Sequence, residues 1–517
     1  MKTTPKGRKV LWLLFTLFFI LVILVSNRYY CRIDLTEGRR FTVSEGTRLL
    51  LQDLREPLRL TYYVSPQLAK LYPQTRDIKD FLLAYSSENP LISVVQVDPV
   101  ESGLEQILAS LGVMGRQIQT TGKSSTEFTT VYSAVILEYL GRSLVIPFIL
   151  SADSLEYELT SRVLSLVQQE IRQIMVMVAN GMTLEEDYSY VVPWLEASGF
   201  SCSWVSPQEF LLLQSEFSSA ERKIPLLVLG SSALTQEEVL GIQNFAECGG
   251  NVLLFTSTGK ADIYGDWTVV PSYGDYFTPV LEKWGVWPNN DLLCDISCFP
   301  ITLYSDEDVP QYQTMNYPLW VASLSRYCSE NPITRCLEGM HFFWANSLTV
   351  NNSAAEVLVY SSPSAWIMAP DYNFQPPFIT NPFMVYSTAE QGGYVSGQYP
   401  IVALVPLEHG GGRVIVVADQ YFVSTMMLDY TASSSNLDFV VNSLLYLSDE
   451  SLLLEIKNRS YVSTALNKVS PEILVDKKVV VLIIICILMP LLVSFIIGLI
   501  FFIKNLKKRK DKCLKRN

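Results

Sequence analysis

The chain has 517 residues, 49% of them apolar, with 51 acidic against 39 basic residues and a formal net charge of −12. Such a length excludes a small scaffold stapled by disulfides and allows two or more domains, each with its own buried core. The acidic balance excludes a nucleic-acid partner, because phosphate backbones are bound by clustered Lys and Arg.

Two runs fall outside globular composition, Val10 to Val25 and Val479 to Ile503, and neither carries a charge. The second is 25 residues long, more than the roughly 20 that span hydrocarbon, and Pro490 and Gly498 are tolerable in a spanning helix. The first follows Lys2, Lys6, Arg8 and Lys9, a pattern shared with cleaved signal peptides. No small-x-small site follows it, and Tyr29 and Tyr30 before Cys31 argue against lipid attachment, so an uncleaved anchor is the favoured reading. Basic residues near membrane segments stay in the cytoplasm, and both tails are basic, Lys504 to Asn517 containing Asp511 alone against eight basic groups. The expectation is a two-span protein of the bacterial inner membrane, both termini cytoplasmic and a large acidic extracytoplasmic domain between them.

In chain order, Ser44 is placed to cap a short helix with Leu49, Leu50 and Leu54, and Leu58 to Val64 reads as a strand. A helix from about Gln74 to Ser87, a strand at Ile92 to Asp98, a helix near Glu101 to Leu111 and a strand pair at Val131 to Tyr139 and Ser143 to Ile149 follow. This order suits a thioredoxin-like domain that lacks Cys-x-x-Cys, so redox catalysis is not expected of it. A helix starting at Asp153, with Glu156 three residues on, puts Leu155, Leu159, Val163 and Leu166 on one face.

From Ile171 to Ser257, short apolar runs alternate with amphipathic ones at the spacing of a parallel βαβ sheet. Thr183 with Glu186 and Thr235 with Glu238 form capping boxes, and Gly249 and Gly250 stop a helix. The pattern dissolves from Thr258 to about Pro400, a long insertion. It returns after Gly410 to Gly412 with a buried strand, Val414 to Ala418, and a helix capped by Asn436. The expected fold class is α/β, membrane-anchored: a thioredoxin-like N-terminal domain, then a doubly wound parallel sheet domain, with one transmembrane helix at each end. The expected divisions are 1–28 (tail and first anchor), 29–170, 171–450 with its insertion at 258–400, a connector at 451–478, the second anchor at 479–503 and a basic tail at 504–517.

With these pieces placed, the chain resembles the GldG family, the auxiliary subunits of gliding-motility-associated ABC transport systems. The resemblance is carried by RIDLTEGRRFTVSEGTRLLLQDLREPLRLTYYVS, SLEYELTSRVLSLV, LTQEEVLGIQNFAECGGNVLLFTS, and RVIVVADQYF followed by NLDFVVNSLLYLSDE, so it covers nearly the whole chain. It implies a flavodoxin- or amidotransferase-like sheet domain, and an ABC permease and an ATPase as partner chains. Where the family commonly shows a Gly-His-Gly-Glu turn, this chain has Ala179, Asn180, Gly181 and Met182.

An active amidotransferase needs a nucleophilic Cys on a sharp strand-to-helix turn and a His base within reach. Cys202 lies inside a strand, Cys248 ends a helix and His409 sits in a glycine turn, so no such pair is visible and no catalytic residue is assigned. Asp419 ends a strand at the edge where doubly wound folds bind ligands, which makes it the best position for a ligand contact. Cys328 and Cys336 could pair in a local disulfide, as could Cys294 and Cys298. Gly249-Gly250 and Gly410 to Gly412 precede strands, the reverse of a phosphate cradle. Asp306, Glu307 and Asp308 lack the spacing of a calcium loop, and Trp320, Trp344 and Trp366 fit either a binding surface or a core. No cofactor or metal is expected. The favoured reading is a noncatalytic auxiliary membrane subunit of an ABC-type transport system with a ligand- or partner-binding domain. The alternatives are an extracytoplasmic amidotransferase-like hydrolase and a stand-alone cell-surface binding protein.

Overall fold

A computed structural model of the protein describes residues 42–460, apart from 73, 122–125, 153, 169–171, 215–216, 218–220, 273–274, 306–310 and 392–393. The first sheet is seeded by β1 (Leu58–Val64), whose Leu58, Leu60, Tyr62 and Val64 alternate onto one buried face. It pairs parallel with β2 (Ile92–Val97) and antiparallel with β3 (Ser133–Tyr139), which turns back into β4 (Arg142–Ile146) to give the order β2-β1-β3-β4. The β3–β4 turn needs positive φ at both central residues, and Leu140 and Gly141 supply it at 50° and 75°. Helices Thr75–Ser87 and Leu155–Gln168 cover this sheet, burying Ile78, Phe81, Leu82 and Tyr85 from one and Leu155, Leu159, Val163 and Leu166 from the other.

The central sheet has seven strands: β5 (Arg172–Val178), β6 (Phe200–Trp204), β7 (Leu226–Leu229), β8 (Val252–Phe255), β9 (Glu356–Tyr360), β10 (Pro400–Pro406) and β11 (Arg413–Val417). Their order is β9-β10-β11-β8-β7-β5-β6. Every residue of β7 and β8 is buried, as expected of strands covered on both faces. The helix between them, Gln236–Glu247, opens on a capping box of Thr235 and Glu238.

The fold class read from the sequence is corrected by this arrangement. The pairs from β6 through β5, β7 and β8 to β11 are parallel, but β10 is reversed, pairing antiparallel with β11 on one side and with the edge strand β9 on the other. The cause is the short turn Leu407–Gly412, because a link of that length between neighbouring strands can only make a hairpin. Six smaller sheets accompany the central one among the described residues, including a ribbon of Arg116–Thr121 with Thr126–Val131 that stands apart from the first sheet. The protein is thus a mixed α/β chain without a clear doubly wound sheet, and the thioredoxin-like and doubly wound assignments are not retained. The ribbon escaped the sequence reading because its strands are rich in Gln and Thr rather than alternating apolar residues.

Localisation is corrected as well. Among the described residues no helix is long and apolar enough to cross a membrane, so a two-span inner-membrane protein is not supported. The runs Val10–Val25 and Val479–Ile503 and both basic tails lie outside the described residues.

The last described helix, Ser451–Ser460, packs against Leu155–Gln168 and Glu45–Gln52. Glu156 accepts hydrogen bonds from Ser44 N (2.7 Å) and Thr47 Oγ1 (2.9 Å) and lies 3.6 Å from the Arg459 guanidinium, which donates to Thr42 O (3.3 Å).

Candidate functional site

Parallel strands deliver their carboxyl ends to one edge of a sheet, the usual place for a ligand. Here that edge carries Asn180 after β5, Ser231 after β7, Thr256 and Ser257 after β8, and Asp419 and Gln420 after β11. All are buried. The Asp419 carboxylate accepts from Phe343 N (2.8 Å) and Tyr421 N (2.7 Å), and its exposure is zero. Burial pushes this carboxyl up to about 8, against the lowering effect of the two N–H donors. Gln420 N donates to Ser257 Oγ (3.0 Å) and Gln420 Nε2 to Gly259 O (3.0 Å), while Tyr188 OH donates to Gln420 O (2.8 Å). Asn180 Nδ2 in turn donates to Tyr188 OH (2.8 Å) and fills the space above Gly230, where an added Cβ would lie 2.4 Å from Asn180 Cβ.

The stretch 258–400 is sewn over this edge. Asn346 accepts from Thr258 N (2.9 Å), donates its own N–H to Ala418 O (2.9 Å) and donates through Nδ2 to Asp291 O. Tyr421 OH takes Ala261 N (2.8 Å), and Asn436, inside the helix Ser435–Leu447 rather than capping it, bonds the backbone of His341 and Phe422. Chemically the edge is a closed polar joint within the chain.

The remaining sequence candidates are scattered. Cys248 and His409 precede β8 and β11, at the amino edge of the sheet and away from Asp419, and the His409 side chain is 92% exposed. Cys202 lies on β6, its thiol pushed to about 11 by burial. Cys294 is fully buried, and burial also lifts Cys298 and Cys328 to about 12 and Cys336 above its ordinary value. All six described cysteines, Cys328 and Cys336 included, are free thiols in this structure. A thiol held this high is no thiolate nucleophile at neutral pH.

The two glycine turns meet each other: a Cβ on Gly412 would lie 1.8 Å from Gly250 O, so they serve close backbone packing. Trp320 and Trp344 are core residues, Trp320 stacking on Phe343 at 3.9 Å, and Trp366 is buried against Tyr394. Asp306, Glu307 and Asp308 lie outside the described residues. Among the described residues no cluster of three or more His, Cys, Asp or Glu could hold a metal ion.

Just past the carboxyl end of β8, beginning at Thr258, an open cavity of about 480 Å³ is lined by Asp275, Glu282, Trp287, Asn289, Asn290 and Tyr372 among others. Sequence reasoning missed it, because its walls come from points more than a hundred residues apart in a stretch without periodicity.

Residues 172–443 match the family described as ABC-type uncharacterized transport system, and residues 37–138 match a domain of unknown function (DUF7088). The chain is 22% identical over 511 residues to an uncharacterized protein of Borreliella burgdorferi, a match covering 95% of this chain and 97% of that one. Among solved structures it is similar to a ThuA-like protein from Bacteroides uniformis, at 12% identity and a TM-score of 0.29, over 53% of this chain and 90% of that one. It is also similar to a β-galactosidase from Rahnella sp. R3, at 12% identity and a TM-score of 0.22, over 54% of this chain and 34% of that one. Likenesses this distant carry no argument about activity. The transport-system match, by contrast, spans more than half of the sequence, and the chain belongs to that family of ABC-type transport auxiliary proteins.

Proposed function

We propose that the chain is a noncatalytic auxiliary subunit of an ABC-type transport system, of the GldG kind, which works beside separate ATPase and permease chains and contributes a binding domain. The observation that carries this reading is the closed carboxyl edge: Asp419, Gln420, Asn180 and Tyr188 are buried and hydrogen-bonded to their own chain. An enzyme of this architecture would present reacting groups there, and the rival hydrolase reading would have to recruit Cys202, Cys248 or His409 from elsewhere. The sequence also has no Gly-x-x-x-x-Gly-Lys-Ser/Thr phosphate loop, and this reading assigns ATP binding to another chain.

Affinity purification of the tagged full-length protein from its host, followed by identification of bound chains, tests the proposal. An ATPase with a phosphate loop and a polytopic permease are expected together. Their absence, under conditions that keep other transport complexes whole, would overturn it. Alanine at Cys202, Cys248 and His409, one at a time, is expected to leave transport-linked function intact, whereas joint loss at a cysteine and His409 with folding preserved would establish the hydrolase.

A further inference from the structure

We propose that the cavity beside Thr258 binds a neutral, polyhydroxylated small molecule of the saccharide class. Its volume of about 480 Å³ falls within the range of roughly 300–1,000 Å³ typical of small-ligand sites. Two aromatic rings serve it. Trp287 is the one residue of the strand Val286–Pro288 that is not fully buried, and Tyr372 is 57% exposed, so both offer apolar ring faces to the C–H surface of a sugar.

The hydrogen-bonding capacity left over defines the ligand further. Asn289 is locked, donating to Ser347 Oγ (2.8 Å) and accepting from Thr349 Oγ1 (2.8 Å), so the floor is preorganised. Asn290 Nδ2 donates to Tyr372 OH (2.9 Å), leaving Asn290 Oδ1 as an acceptor and the phenolic hydrogen as a donor. Thr258 and Thr278 spend their hydroxyl hydrogens on Asn289 O (2.9 Å) and Asp275 Oδ2 (2.6 Å), and so face a ligand as acceptors. Acceptors outnumber donors, which calls for a ligand rich in O–H groups.

Charge narrows the class. Among the described residues the lining contains Asp275 and Glu282 and no Lys, Arg or His, which repels phosphates and carboxylates. Asp275 is already engaged by Phe277 N (3.0 Å) and Thr278 Oγ1, leaving Glu282 as the carboxylate without such a bond inside the cavity wall, suited to a pair of sugar hydroxyls.

This inference goes beyond the transporter reading, since sugar binding and recovery of an ATPase with a permease are separate measurements that can fail separately. The test is titration of the purified full-length protein with glucose, N-acetylglucosamine, maltose and cellobiose, followed by tryptophan fluorescence and calorimetry, with spermidine and citrate as cationic and anionic comparators. At least one saccharide is expected to saturate, and neither comparator. Tyr372→Phe, which keeps the ring but removes the donor, and Asn290→Ala should each weaken binding by about tenfold, on the order of 1.4 kcal/mol, with the melting temperature unchanged. Trp287→Ala should abolish the fluorescence response. The proposal is overturned if no saccharide saturates into the tens of millimolar, if spermidine saturates instead, or if saccharide binding survives both Tyr372→Phe and Asn290→Ala.

Discussion

Asp419 sits where a strand ends, and that much is plain from RVIVVAD; what it touches is not, because Phe343 lies 76 residues earlier in a stretch without pattern. Its carboxyl, near 8 in the folded chain, titrates at roughly 4 when unfolded. The native state therefore holds a proton there that the unfolded chain releases. Its contribution to stability is fullest below about pH 4, falls as pH rises toward about 8 and is level above that. Asp419→Asn removes this titration and one of two acceptors for buried N–H groups. Denaturant unfolding should show a flatter pH profile across the window and a loss of about 1–3 kcal/mol on its acid side; an unchanged profile would refute the assignment. The cysteines allow a second check. Cys248 is exposed whereas Cys294 is buried, so brief alkylation of the folded protein should modify Cys248 and spare Cys294, as read by peptide mass spectrometry. Pairing of Cys328 with Cys336 under oxidants is proposed on their spacing, and recovery of both as free thiols after oxidation would end it.

Elements whose ends are written in local chemistry were legible. Ser44 accepts from Thr47 N, and Thr235 pairs with Glu238, just where the side chains of each motif predict. Elements held by distant partners were not. The helix Ser451–Ser460 lies in a stretch read as a connector, and its Lys457 is buried, donating to Asp438 Oδ1 (2.9 Å) and Asn442 Oδ1 (3.0 Å). Both ends of this ion pair are only 5% exposed, and burial lowers the lysine's pKa while Asp438 resists the change. Removing Asp438 takes the carboxylate away from a buried ammonium, so Asp438→Ala should cost about 3–5 kcal/mol. The double variant Asp438→Ala with Lys457→Met should recover much of that loss in equilibrium unfolding. Full additivity of the two would show that the pair is not coupled.

At the scale of the molecule, the sequence conveyed the alternation of the parallel strands but not the two antiparallel pairings, because Glu356–Tyr360 and Pro400–Pro406 belong to the stretch between β8 and β11 and find their neighbours only by folding. The candidate cavity was illegible for the same reason. Asn346 joins three segments of that arrangement, and it is fully buried. Asn346→Ala should orphan Thr258 N and Asp291 O and lower the thermal midpoint, with proteolysis cutting first between residues 258 and 400. A midpoint unchanged from the parent protein would mean that the stretch is held on by packing alone.

The contact between Arg459 and Thr42 brings the two limits of the described body within a hydrogen bond of each other. Topologically the body is a ring whose gap is spanned by one arginine side chain and a hydrogen bond. A short Gly-Ser bridge from Ser460 to Thr42, with new termini opened in an exposed turn such as the one at Leu140–Gly141, should give a circular permutant that keeps the same core. The same closeness makes 42–460 a cassette: grafted into a surface loop of another protein, it would ask the host to part its chain by no more than the reach of one arginine side chain.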